Sequence, residues 1–299
     1  MSVVIGDGQL TSVSTLEVVV VTYESEGLIR SCLRSVDAYA PRGTVIHVVD
    51  NASPDNTVAV VEQEFPNVVL TARLDNAGFA VANNVALRAV RSPFVLVLNP
   101  DAELAPGVVD HLLGVMSDLP DVGVVGCRLV TSDGTPDHAA KRFIPTPVEA
   151  ALYFAGRLIG RRVSRYTAPS VAEFGTGDVD AVNGAFMLIR KAAMDEVGLL
   201  DESFWMYGED LDWCTRFRKA GWRVVYDGRV TARHLKGGSA GVRSWRLNFE
   251  FHRSMALYQR KHGVSRAPLR LLVGAAIWGK FIATASADSV RRHLWGQRR

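Results

Sequence analysis

Residues 16–50 read LEVVVVTYESEGLIRSCLRSVDAYAPRGTVIHVVD. A nearly continuous β-rich run, Leu16–Thr22, leads into a helix-compatible stretch, Gly27–Ala38, and then a second β-rich run, Thr44–Asp50. The alternation continues through Asp55–Glu64, Val68–Ala72, Ala80–Val90, Phe94–Leu98, Gly107–Asp118 and Val122–Cys127. Strands this rich in Val, Ile and Leu are buried on both sides, as when helices cover both faces of a parallel sheet. The expected fold class is α/β, with a mostly parallel, doubly wound, Rossmann-like central sheet. Ligands of such sheets bind at the carboxyl ends of the strands.

Polar residues gather at those ends. Strand one runs into Thr22, Tyr23 and Glu24, and strand two into Asp50 and Asn51. Strand three runs into Arg73, Asp75 and Asn76, and strand four into Asn99-Pro100-Asp101. Asn, Asp and Pro also favour turns, so each group alone has a plainer reading. Four in succession point to a site. Beyond them the pattern weakens: Ser132-Asp133-Gly134-Thr135 reads as a hairpin turn, and Arg142–Tyr166 as a basic loop or insertion. Regular structure resumes with a strand over Ala181–Arg190, helices over Lys191–Val197 and Glu209–Ala220, and a strand over Arg223–Tyr226.

The chain divides in two by charge. Its 299 residues carry a net +3, but Arg243–Arg299 hold twelve Lys or Arg against two acids, a local +10 that leaves −7 elsewhere. We read residues 1–240 as the compact domain, closed by the glycine-rich Gly237–Gly241, and 241–299 as a basic amphipathic helical extension. In that extension Arg246, Arg253 and Arg260 share a helix face, while the unbroken apolar run Leu271–Gly279 is shorter than the roughly 20 residues that span a bilayer. A basic tail on an acidic body suits an anionic partner, either membrane headgroups or a phosphorylated substrate. Nucleic acid is disfavoured, because no binding motif accompanies the charge. Three dispersed cysteines, Cys32, Cys127 and Cys214, fit a reducing compartment rather than a disulfide framework. Leu16–Val21 is too short for a signal peptide, so the expected location is cytoplasmic, peripheral at the inner face of the cell membrane.

Four segments could carry chemistry. Asp101, fixed at a strand end, suits a hard divalent cation shared with a diphosphate, although Asn99-Pro100-Asp101 taken alone reads more readily as a strand-breaking turn. Glu209, Asp210 and Asp212 open a helix, where acids stabilise the dipole or where one faces a pocket as a general base. The preceding Phe204-Trp205-Met206-Tyr207 offers an apolar floor for a sugar ring. Between Asp75 and Asn84, Gly78 permits close backbone approach and the helix start offers amides to phosphate; no glycine triplet, P-loop or Gly-x-Ser-x-Gly elbow accompanies it. His234 precedes Lys236 and a glycine-rich hinge, which suits a loop closing over phosphates, while a lone His is more often structural.

The strings VVVTYES, VVDNASPDNT, LDNAGFAVANN, LNPDAEL, VNGAFMLIRKAAMDEVGLLDESFWMYGEDLDWCTRFRKAGW and ARHLKGGSA lie in this order between residues 18 and 240. In order and spacing the chain resembles the inverting family 2 glycosyltransferases of GT-A fold, particularly their rhamnosyltransferase-like branch. The resemblance implies that Thr22, Tyr23, Glu24, Asp50 and Asn51 hold the base and ribose of a donor nucleotide. It implies that Arg73, Asn76, Gly78, Phe79 and Asn83 line the ribose, diphosphate and sugar. Asn99 and Asp101 would occupy the Asp-x-Asp position that binds Mg2+ or Mn2+, with His234 a third metal contact and Lys236 on the diphosphate. Asp210 would be the catalytic base, and Asn183, Gly184, Ala185, Trp205 and Glu209 would border the acceptor and the transferred sugar.

Asn99 replaces the first carboxylate of Asp-x-Asp and removes a charge from the metal site. The resemblance implies dTDP-rhamnose for this Asn-Pro-Asp version, and a glycan or polyprenyl-diphosphate-linked acceptor. UDP-galactofuranose and UDP-N-acetylglucosamine are the alternative donors. A sugar-nucleotide pyrophosphorylase would carry a glycine-rich, Arg-containing loop where this chain has Thr22-Tyr23-Glu24-Ser25-Glu26. A non-catalytic sugar-nucleotide binder would not need both Asp101 and Asp210.

Overall fold

Every residue of β1 (Leu16–Thr22) and β4 (Phe94–Leu98) is buried, so both faces of the sheet are covered at its centre. The computed structural model describes residues 14–144, 168–235, 245–263 and 267–296. β1 pairs in parallel with β4 on one side and with β2 (Val45–Asp50) on the other, and β2 with β3 (Val69–Ala72). Helices α1 (Ile29–Tyr39), α2 (Thr57–Glu64), α3 (Phe79–Leu87) and α4 (Val108–Asp118) alternate with these strands. The chain therefore winds in opposite senses on either side of β1, which opens a crevice at the carboxyl ends of β1 and β4.

Beyond β4 the sheet is mixed. β10 (Phe186–Arg190) runs antiparallel between β4 and β6 (Val122–Val130), and β11 (Arg223–His234) is parallel to β6. Two short strands, β5 (Ala102–Glu103) and β8 (Thr176–Asp178), pair antiparallel with β11. The parallel sheet expected from the alternation thus holds from β3 to β4 and turns antiparallel at β10.

β6 runs past its predicted end at Cys127 to Val130, and two other strands depart further from their predicted spans. The strand predicted over Ala181–Arg190 is broken at Asn183-Gly184-Ala185 into β9 (Ala181–Val182) and β10; β9 pairs instead with β7 (Lys141–Arg142). The strand predicted to stop at Tyr226 runs on to His234. Asp227-Gly228-Arg229 reads as a turn but forms a bulge, with the register against β6 shifting between Asp227 and Thr231. Asp227 holds the bulge by accepting from Arg229 Nε at 2.9 Å and pairing with His111 at 3.1 Å. His234 is therefore the last residue of β11, paired with Ala102, rather than a loop residue.

α5 (Lys191–Val197) and α6 (Glu209–Lys219) follow their predicted spans. In the C-terminal extension, α7 (Trp245–His262) packs against the rest of the chain through a small cluster of its own. Its Leu257 and Tyr258 bury against Phe204, the Tyr258 hydroxyl meets Thr215 Oγ1 at 2.8 Å, and His262 Nε2 meets Asp212 Oδ1 at 2.7 Å. α8 (Ala267–Gly296) lies on α7 through a cluster of Trp245, Phe249, Trp278 and Phe281 with ring centroids 5.7–6.3 Å apart. It leaves Leu269, Leu271, Leu272 and Ile282 exposed. By length and composition its segment Ala267–Ala285 could cross a membrane, a longer apolar element than Leu271–Gly279 alone. The glycine-rich boundary and most of the Arg142–Tyr166 segment lie outside the described residues.

Candidate functional site

The carboxyl end of β1 places Thr22 beside β2, where its hydroxyl donates to Asp50 Oδ1 at 2.8 Å. Asp50 also accepts from the Ser53 amide at 2.8 Å and the Ser53 hydroxyl at 2.5 Å, so its carboxylate is fixed by its own loop. Tyr23 and Glu24 stand on the open rim, Glu24 with a left-handed φ of 51°. Asn51 faces inward: its Nδ2 donates to the Gly78 carbonyl at 3.0 Å.

Gly78 and Phe79 are bound to Trp205. The Phe79 amide donates to the Trp205 carbonyl at 2.8 Å, and Trp205 Nε1 donates to the Asn76 carbonyl at 3.3 Å. Gly78 has φ +95° and ψ 173°, a region that glycine alone occupies freely. A Cβ there would collide with the Trp205 carbonyl and come within 2.6 Å of its ring. Gly78→Ala is expected to cost about 1–3 kcal/mol from the backbone alone, plus displacement of Trp205. Urea denaturation checks this; unchanged stability would mean the loop does not need its close approach to Trp205.

The aromatic run divides. Phe204 is fully buried against α7 and is not a floor for a ligand, while Trp205 stays at the site with the Arg246 guanidinium 4.5 Å over its ring. Arg246, expected on the basic face of the extension, is thereby brought from α7 over Trp205. Arg73 pairs with Asp75 at 2.8 Å. Asn83 donates to the Phe79 carbonyl one turn back at 2.9 Å.

The Asn99 amide donates to the Ala185 carbonyl at 3.0 Å, joining β4 to the Asn183-Gly184-Ala185 turn. Asp101 Oδ1 lies 3.4 Å from His234 Nε2, and His234 Nδ1 lies 2.9 Å from Asp137 Oδ2. Burial opposes a charged ring here, but the carboxylates of Asp101 and Asp137 outweigh it and raise His234 to about 9. The sequence reading missed Asp137, one acid among the turn-forming residues after β6. It also missed Arg142, hidden in a stretch that reads as a loop.

Asp210 lies in the first turn of α6, paired with Arg142 Nη2 at 2.6 Å and accepting the Gly184 amide at 3.0 Å. Arg142 also donates to the Val182 carbonyl, so the β7–β9 ribbon holds the pair. Asp212, the third acid, is bound to Arg216 at 2.8 Å and to His262, and only braces α6 against α7. Burial first, and then the Asp210 charge, push the Glu209 carboxyl up to about 8. Between its ordinary value of 4.5 and about 8 the folded protein keeps a proton that the unfolded chain has lost. Stability therefore falls with rising pH across that window. Glu209→Gln removes the dependence, so its melting temperature is expected to gain on wild type at pH 8 and to gain less at pH 5. A parallel pair of pH–melting curves would contradict the assignment.

Buried side-chain atoms without a hydrogen-bond partner concentrate in this region: Asn51 Oδ1, Arg73 Nε, Asn83 Oδ1, Asn99 Oδ1 and Glu209 Oε2. Unpaired buried polar atoms are costly, and a cluster of them fits a surface completed by a polar ligand. The donor set also fits a divalent cation. A carboxylate and an imidazole face each other, with the unpaired carbonyl oxygen of Asn99 on the same β4–β5 connection. Among the described residues no three acidic, thiol or imidazole groups are arranged to hold a metal ion together, so a cation here would need oxygens from its ligand. Lys236 lies outside the described residues.

A family model described as "Glycosyltransferase like family 2" matches residues 14–251. An N-acetylglucosaminyl-diphospho-decaprenol L-rhamnosyltransferase of Mycobacterium tuberculosis is 29% identical over 270 residues, covering 85% of this chain and 88% of its own. The mannosyltransferase PcManGT of Pyrobaculum calidifontis, solved with GDP-Man and Mn2+, superposes with a TM-score of 0.57 at 19% identity, over 94% of this chain and 76% of its own. TarS 1–349 of S. aureus superposes at 0.55 with 16% identity, over 83% of this chain and 65% of its own. At these identities the two structures speak for the fold, which is GT-A.

Proposed function

The chain belongs to glycosyltransferase family 2, and from that premise we propose that it moves L-rhamnose from dTDP-β-L-rhamnose, with inversion, to a hydroxyl of a glycan or polyprenyl-diphosphate-linked saccharide. The observation that carries the reading is the cluster of unpaired buried polar atoms on Asn51, Arg73, Asn83 and Asn99, which the family resemblance assigns to the donor and its cation. The choice of rhamnose rests on Asn99-Pro100-Asp101 and on the likeness to the mycobacterial rhamnosyltransferase.

Thr22, Asn51 and the Gly78–Phe79 loop bind the nucleotide, and Trp205 supports the sugar. Asp210, oriented by Arg142 and the Gly184 amide, takes the proton of the acceptor hydroxyl as it attacks the anomeric carbon opposite the leaving nucleotide. One displacement inverts the anomeric centre and gives an α-L-rhamnoside. Mg2+ or Mn2+, held by Asp101 and His234 with Asn99 alongside, would neutralise charge growing on the leaving diphosphate. Thermal-shift measurements with dTDP-rhamnose, UDP-galactofuranose and UDP-N-acetylglucosamine, with and without Mn2+, test the donor. The largest Mn2+-dependent shift is expected with dTDP-rhamnose, and a larger one with a UDP-sugar would reassign it.

The lipid-linked acceptor goes with a peripheral membrane site. α8 exposes Leu269, Leu271, Leu272 and Ile282 within the segment whose sequence carries the net +10, and an interfacial helix combines these two features. Because α7 packs on Phe204 and Thr215, the tail is tested by substitution rather than by removal. Full-length protein is expected to co-sediment with anionic liposomes, less so in high salt, and the Leu271→Glu, Leu272→Glu variant to remain in the supernatant. Equal pelleting of the two would leave α8 a packing role alone.

A further inference from the structure

We propose that Asp137 is the positioning residue of the cation site: its carboxylate fixes the His234 ring so that Nε2 stays aimed at Asp101. This rests on the reading of Asp101 and His234 as cation ligands.

The two carboxylates approach opposite edges of one ring, Asp137 Oδ2 at 2.9 Å from Nδ1 and Asp101 Oδ1 at 3.4 Å from Nε2. Together they set both its tilt and its flip state. Asp137 is 4% exposed and is itself held in place. Its amide donates to the Leu129 carbonyl at 2.8 Å, its Oδ1 accepts the Ala139 amide at 3.0 Å, and its Oδ2 also accepts Asn183 Nδ2 at 3.3 Å. A histidine that binds a metal through one nitrogen is oriented by what its other nitrogen donates to, and a fixed carboxylate is the strongest such partner. His234 is anchored through its backbone too, because the Leu235 amide donates to the Asp101 carbonyl at 2.8 Å. The backbone sets where the ring starts and Asp137 sets where it points. Asn183 extends the same contact to the turn whose Gly184 amide holds Asp210, so one carboxylate ties the cation side of the site to the base side.

A purely architectural role, tying the turn after β6 to Asn183, would change stability without acting through His234. Mn2+ titration of the full-length protein saturated with dTDP, followed by electron paramagnetic resonance, separates the two. Asp137→Ala is expected to weaken Mn2+ binding about 10–100-fold, the range for outer-shell partners of metal ligands, with dTDP affinity in the absence of Mn2+ unchanged. Asp137→Asn, which keeps the size and one acceptor oxygen, is expected near the lower end and carries the comparison if the alanine variant does not fold. Combined with His234→Ala, either substitution should cost nothing further, because its effect passes through the ring. Wild-type Mn2+ affinity in the Asp137 variants, or losses that add to that of His234→Ala, would overturn the inference. Wild-type Mn2+ affinity in His234→Ala would instead overturn the cation reading on which it rests.

Discussion

Asp210→Asn is expected to lower the turnover of sugar transfer by roughly 10²–10⁴-fold while leaving donor affinity near that of wild type. The carboxylate is placed by Arg142 at 2.6 Å and the Gly184 amide at 3.0 Å, and an asparagine keeps an oxygen for both. What it loses is the negative charge, the acceptor of the Leu211 amide at 2.7 Å and the ability to take a proton. Breaking a buried ion pair outright costs about 3–5 kcal/mol, so a melting curve must accompany the kinetics. The retained oxygen makes that figure an upper bound. Two neighbours could be mistaken for the base. Asp212 is committed to Arg216 and His262, and Glu209, raised to about 8, holds its proton at neutral pH. Single-turnover transfer at close to the wild-type rate in Asp210→Asn would remove it from the role.

Asp101→Ala is expected to weaken Mn2+-dependent dTDP binding more than about 100-fold, beyond the range for outer-shell partners, because it removes the one charged ligand at the strand end. Asn99→Ala should have the smallest effect, since a carbonyl oxygen brings no charge to a hard cation. His234→Ala should fall between them. Calorimetry with dTDP and Mn2+ gives the ranking, and equal affinities in all three variants would take the metal out of the account.

Much of this architecture is legible in the chain because its first half is regular. β1, β2 and β4 are apolar runs closed by polar residues, and burial on both faces is the only stable use for them. The polar ends, Thr22, Asn51, Asn99 and Asp101, lie where that pattern puts them. What stayed hidden depends on contacts between distant segments. Asp137 is 97 residues from His234, and Arg142 is 68 from Asp210; neither spacing leaves a local mark. Asp227-Gly228-Arg229 has turn chemistry, yet pairing with β6 and β5 carries β11 through it as a bulge. α7 shows the same effect. Its regularly spaced arginines mark a basic face suited to an anionic partner, but give no sign that Leu257, Tyr258 and His262 bind it to the domain and bring Arg246 over Trp205.

A site that activates a nucleotide-linked sugar also passes that sugar slowly to water. The most direct test is release of dTDP from dTDP-β-L-rhamnose by the full-length protein, with water standing in for the acceptor. Slow release is expected with Mn2+, lost on chelation and lost in Asp101→Ala. No release above background from dTDP-β-L-rhamnose, UDP-galactofuranose or UDP-N-acetylglucosamine, from protein that melts cooperatively, would contradict that reading of the site.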